Sequence, residues 1–138
     1  MIILLVATLS CTNQQSAEQE NETAPDKENL VATVSSNGGT KWKGDEATKK
    51  NVAAMMRVVN DTAYVNAAKK TQLYTHIHAK VDTLVKECSM KGAGHEALHM
   101  WLQIVLKDLK ELQEEDNEYS EAYAALKKDV GSFYQAFE

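Results

Sequence analysis

The sequence predicts an all-α protein, an up-down-up-down four-helix bundle, and three observations carry that expectation. Residues 41–138 contain no proline. Their apolar residues recur at spacings of three and four, with no strand-like alternation. The segments so marked are similar in length and joined by short connections, which favours antiparallel neighbours.

Each helix follows from its own pattern. A first helix starts near Asp45 or Thr48 and runs to about Asp61, with Val52, Met56, Val59 and Ala63 on one face. Asn60-Asp61-Thr62 breaks it, and Asn66 is placed to cap the next helix. A second helix spans about Ala67 to Glu87, its stripe made by Leu73, Ile77, Val81, Leu84 and Cys88. His76 and His78 flank Ile77, so they point to different faces and read as surface residues. Lys91-Gly92-Ala93-Gly94 is the expected turn. A third helix covers about His95 to Glu115, with Leu98, Leu102, Val105, Leu109 and Leu112 inward and Trp101 beside them. The fourth runs from about Asn117 to Phe137 through Tyr119, Ala122, Leu126, Val130, Phe133 and Phe137, and Gly131 costs it about 1 kcal/mol against alanine. Such helices are marginal alone, so a shared core must hold them.

The N-terminal part differs in kind. Residues 1–10 are apolar or small and end at Cys11, roughly half the length of a membrane span. They read as the apolar core of a signal peptide, with Ser10 at the cleavage position. Residues 11–40 are polar and hold Pro25, the only proline. They carry Glu18, Glu20, Glu22, Asp26 and Glu28 against Lys27 alone, a net −4 of the chain's −5. Low hydrophobicity and like charge predict a disordered, extended tether. The near-neutral remainder has no basic stripe, which argues against nucleic acid as a partner.

Thr8-Leu9-Ser10-Cys11 resembles the signal of a bacterial lipoprotein, and the whole arrangement resembles small envelope lipoproteins of the Bacteroidota type. The resemblance implies a lipid on Cys11, attachment to the membrane through it, and residence in the cell envelope. It also implies that Cys11 is unavailable for a disulfide. Cys88 is then the lone thiol of a chain in an oxidising compartment.

The sharpest local signal is the run from Cys88 to His99. Cys88 ends the second helix facing the core, Met90 sits in the turn, and His95 and His99 lie one turn apart on the third helix. Thiolate, thioether and imidazole together suit copper(I), and thiolate with two imidazoles suits zinc. Met90 tilts the choice toward copper. The expected site is Cys88, Met90, His95 and His99, with Asp45, Glu46 or Glu87 as outer partners. It suits binding, storage or delivery of a soft metal ion. A non-enzymatic role is expected, because Glu96 is the only acid or base placed beside it.

His95-Glu96-x-x-His99 also resembles the zinc-peptidase motif. Glu118, separated from His99 by eighteen residues, matches the third-ligand spacing of zinc aminopeptidases. That resemblance implies zinc on His95, His99 and Glu118, with Glu96 as general base. The apolar repeat opposes it, since an unbroken helix puts Leu112 about 20 Å along the axis from His99. A haem bundle is disfavoured because the fourth helix has no histidine. The remaining alternative is a metal-free helical module that contacts another envelope protein, with Trp42 and Met100 as candidate surface residues.

Overall fold

The computed structural model describes residues 27–34, 37–115 and 118–138. The expected signal peptide, Cys11 and the first part of the tether lie outside these residues. The described chain is an all-α bundle. Its helices are α1 (Lys27–Val34), α2 (Glu46–Val59), α3 (Lys70–Glu87), α4 (Gly92–Gln113), α5 (Tyr119–Gly131) and α6 (Phe133–Ala136). Helices α2 to α5 form a ring in which each packs on the next and α5 closes on α2. Among the described residues there is no strand, only one isolated parallel bridge, between Trp42 and Phe137.

Most predicted stripes are the observed core. Val52 and Val59 from α2, Leu73, Ile77, Val81 and Leu84 from α3, and Leu126 and Val130 from α5 are buried. In α2 the fully buried methionine is Met55, with Met56 only partly covered. The break after α2 falls where Asn60-Asp61-Thr62 predicts it. Asn60 caps α2, Asp61 accepts from the Ala63 amide at 2.9 Å, and Asn66 accepts from the Ala68 amide at 2.9 Å. These side chains compete with the helical ladder, so two short 3₁₀ turns, Thr62–Val65 and Ala67–Lys69, precede α3.

Three boundaries differ from the sequence expectation. The turn before α4 is Cys88–Lys91, and α4 already begins at Gly92. Gly92 has φ +67°, a left-handed value that glycine adopts at little cost, which lets the turn pass directly into α4. The last helix does not run unbroken to Phe137. It stops at Gly131, where Ser132 Oγ donates to the Asp129 carbonyl at 2.7 Å, and α6 comes next. That break turns Phe133 and Phe137 inward as a stacked pair 4.6 Å apart.

The third difference is α1. Lys27–Val34, expected in the extended tether, form a helix packed on α4 with Leu30 and Val34 buried. This changes the environment of α4. Nine of its residues are buried, among them Trp101, Ile104 and Asp108, which lie off the predicted stripe. A helix in a four-membered ring keeps one face in water; α1 covers that face here. Trp101 is fully buried, donates from Nε1 to the Asp129 carbonyl at 2.9 Å, and meets Phe133 edge-on at 5.2 Å.

Core and surface positions of α4 respond differently to truncation. Leu98→Ala, at a fully buried site, is expected to cost about 3 kcal/mol. Leu106→Ala, at a site 39% exposed, changes stability by no more than about 0.5 kcal/mol. Urea unfolding of both variants checks the assignment of the two faces.

Candidate metal centre at one end of the bundle

The end of α3 and the starts of α4 and α2 meet at one end of the bundle, and the turn Cys88–Lys91 lies there. Its position is fixed by Asp45. The Asp45 carboxylate caps α2 by accepting from the Thr48 amide at 2.7 Å. Its other oxygen accepts from the Ser89 amide at 2.6 Å and the Ser89 hydroxyl at 2.8 Å. One side chain thus anchors both a helix start and the turn. Burial works against its charge, but the hydrogen bonds from Thr48 and Ser89 outweigh that and hold its carboxyl far below the usual carboxylate range. A second tie is Asn51, which donates to the Ala47 carbonyl at 2.9 Å and to Glu87 Oε2 at 3.0 Å.

Held in this way, Cys88 is half-buried against the core. Its Sγ lies 3.6 Å from His95 Nδ1. The His95 and His99 rings succeed one another up α4 with centroids 4.2 Å apart. Helical spacing of four explains the ring contact, and the short turn Cys88–Lys91 explains the reach from Cys88 to His95. The Met90 sulfur is directed elsewhere: Sδ accepts from Thr48 Oγ1 at 3.7 Å. The Met90 methyl and the Trp42 ring both approach Gly94, where an added Cβ would lie 3.5 and 3.6 Å from them. Of the four predicted ligands, the structure pairs Cys88 with His95 and His95 with His99, and engages Met90 with Thr48. Among the described residues, no three His, Cys, Asp or Glu side chains already converge as a metal-holding group.

Of the expected outer partners, Asp45 acts through Ser89, Glu87 binds Asn51, and Glu46 pairs with Lys49 at 3.1 Å. The peptidase-type third position is remote. Helix α4 runs unbroken from Gly92 to Gln113, and Glu118 precedes α5 beyond its far end. His76 and His78 diverge as predicted: Tyr64 Oη meets His76 Nδ1 at 2.5 Å, and His78 pairs with Asp82 at 3.2 Å. Trp42 is not a free surface residue, because its Nε1 donates to the Val34 carbonyl at 2.8 Å and its ring packs on the core. Met100 is likewise partly buried against the core.

A second cluster was not anticipated from the sequence. Lys27 Nζ lies 2.6 Å from Asp108 Oδ1 on α4 and 2.6 Å from Asp129 Oδ2 on α5. Asp108 is wholly buried. The available signal was an acid at a core-adjacent position of α4, facing an acid on α5, with a basic residue upstream.

No protein-family model, no curated protein and no solved structure matches this chain. No helix among the described residues is long and apolar enough to cross a membrane.

The double role of Asp45 generates a stability prediction. Asp45→Ala is expected to cost about 1–2 kcal/mol at neutral pH, the range for a lost N-cap with a further bond. The carboxyl is depressed in the fold, so its contribution is complete above about pH 4, the ordinary value. It is lost as pH falls through the lower folded value. Chemical unfolding at pH 7 and at pH 2 checks this: the gap between wild type and variant narrows in acid.

Proposed function

We propose that this protein is a lipid-anchored envelope protein whose bundle binds one soft metal ion, copper(I) or zinc, for binding, storage or delivery. The observation that carries the metal reading is the Cys88–His95 contact. Two ligands on a tetrahedral ion, at about 2.3 Å for sulfur and 2.0 Å for nitrogen, stand roughly 3.5 Å apart. Cys88 Sγ and His95 Nδ1 stand 3.6 Å apart. His99, its ring tilted 53° to that of His95, supplies a third ligand by side-chain rotation. Met90 joins only if its sulfur leaves Thr48. Binding releases the thiol proton of Cys88 to solvent, which makes affinity rise with pH. A thiol–imidazole hydrogen bond accounts for the same contact without a metal, and titration separates the two.

The lipid anchor rests on the resemblance of Thr8-Leu9-Ser10-Cys11 to a lipoprotein signal. A second reading, a metal-free docking module, is favoured by a groove of about 580 Å³ between α1 and α5. It contains Val31, which is 43% exposed.

The test uses the chain from Thr12 onward, which retains α1. Copper(I) and zinc are titrated against a competing chelator. The expected result is one equivalent bound with submicromolar affinity, weakened at least about tenfold, or about 1.4 kcal/mol, by Cys88→Ser and by His95→Ala. Micromolar or weaker affinity, unmoved by either substitution, overturns the metal reading and leaves the docking module in its place.

A further inference from the structure

Helix α1 is joined to the bundle by a polar contact unusual for its depth. The Lys27 ammonium is shared by two carboxylates on different helices, each 2.6 Å away. Asp108 is fully buried and Asp129 nearly so. Asp108 Oδ1 receives the ammonium, while Oδ2 is buried with no donor among the described residues to satisfy it. A buried acceptor left without a donor is rare in native proteins. Both carboxyl groups lie against the one Lys27 ammonium and so share a site. Two carboxylates in one site resist ionising together.

Charge counting gives the same answer. With both acids ionised, the cluster holds two negative charges against one positive, and the excess charge is buried. With one proton between the acids, it is neutral and Oδ2 becomes a donor. The apolar hold of α1 is slight and rests on Leu30 and Val34. A further tie runs from Trp42 Nε1 to the Val34 carbonyl, 2.8 Å.

We propose that α1 is a proton-controlled strap: one proton on Asp108, beside Asp129 and beneath Lys27, closes it on α4 and α5, and loss of that proton opens it. The groups facing Asp108 are Lys27 from α1 and Asp129 from α5. Glu28 and Lys128 line the groove at the edge of the cluster, alongside Lys27 and Asp129. That groove brings water to Lys27 and Asp129, beside the buried Asp108.

The direction with pH comes from burial. Burial pushes the Asp108 carboxyl up to about 7, the Lys27 ammonium opposes this, and Asp129 adds to it. The Lys27 ammonium itself is raised: burial acts to lower it, but its bonds to the two acids outweigh that effect. An acid whose value is raised in the closed state takes up a proton on closing. Closure is therefore strongest toward the ordinary carboxylate value of about 4. It weakens as pH rises through about 7 and changes little above that.

Amide hydrogen exchange of α1 in the full chain tests this, read at pH 5 and pH 8 after correction for intrinsic exchange. Peptides from the core of α4 serve as the internal reference. The expected result is a loss of α1 protection of about tenfold or more at pH 8, with the α4 core unchanged. Asp108→Asn keeps the neutral, hydrogen-bonding form, so its α1 stays protected at both pH values. Equal wild-type protection at the two pH values overturns the proposal. So does an Asp108→Asn protein that keeps its α4 core and exposes α1 throughout. Infrared spectra of the wild type supply a readout that needs no variant to fold. A protonated-carboxyl band present at pH 5.5 and lost by pH 8.5 supports the buried proton, and its absence at pH 5.5 overturns it.

Discussion

The constraint on which the rest depends is the burial of α4. This helix is apolar around more of its circumference than a ring of four can cover. Leu98, Leu102, Val105, Leu109 and Leu112 face the ring, while Trp101, Ile104 and Asp108 turn toward a face that the ring leaves open. Covering that face recruits α1, and the break at Gly131 brings Phe133 beneath Trp101. A buried Val or Leu contributes about 1.5–3 kcal/mol, so Leu30 and Val34 together give α1 only a few. Burying an unbalanced charge costs several kcal/mol. The two magnitudes are comparable, so the charge state of the Asp108 cluster decides whether α1 gains by docking.

The four main helices were legible because their signals are local. Spacings of three and four mark Leu73-Ile77-Val81-Leu84 and Leu98-Leu102-Val105-Leu109-Leu112, and every one of these residues is buried. Asn60, Asp61 and Asn66 announce their turns through side-chain capping, which needs no knowledge of the tertiary fold. What the sequence concealed depends on distant partners. Lys27-Glu28-Asn29-Leu30 carries too little apolar content to read as a helix, and it becomes one by packing on a face that exists only after α4 and α5 have met. Asp108 looks like a solvated acid until Lys27, eighty-one positions away, is brought to it.

The candidate centre was legible to a similar extent. Cys88 meets His95, and His95 meets His99, because a helix end, a short turn and a spacing of four are all visible in the residues. Met90 did not join them, because its orientation is set by Thr48 across the bundle end. Asp45 was legible only as a possible neighbour. Its actual part is to tie the start of α2 to Ser89, so the geometry at Cys88 is inherited from a cap on a different helix. The Cys88 turn is therefore placed by polar anchoring, whereas the backbone carrying His95 and His99 is placed by the packing of α4.

The parallel bridge between Trp42 and Phe137 has a mechanical meaning. The Trp42 amide donates to Ala136 at 2.8 Å, Glu138 donates to the Trp42 carbonyl at 2.9 Å, and Gly44 donates to Glu138 at 3.0 Å. These bonds close the bundle's own two chain ends against each other, immediately ahead of α2. A force drawn along the chain from its N-terminal side reaches α1 first and peels away a short, lightly held helix. It next meets three hydrogen bonds and an embedded indole grouped at one point. The first gives and lengthens the chain; the second resists and shields α2. Tension on the leading segment is thus dissipated outside the ring of helices, and the Cys88 turn is spared the load.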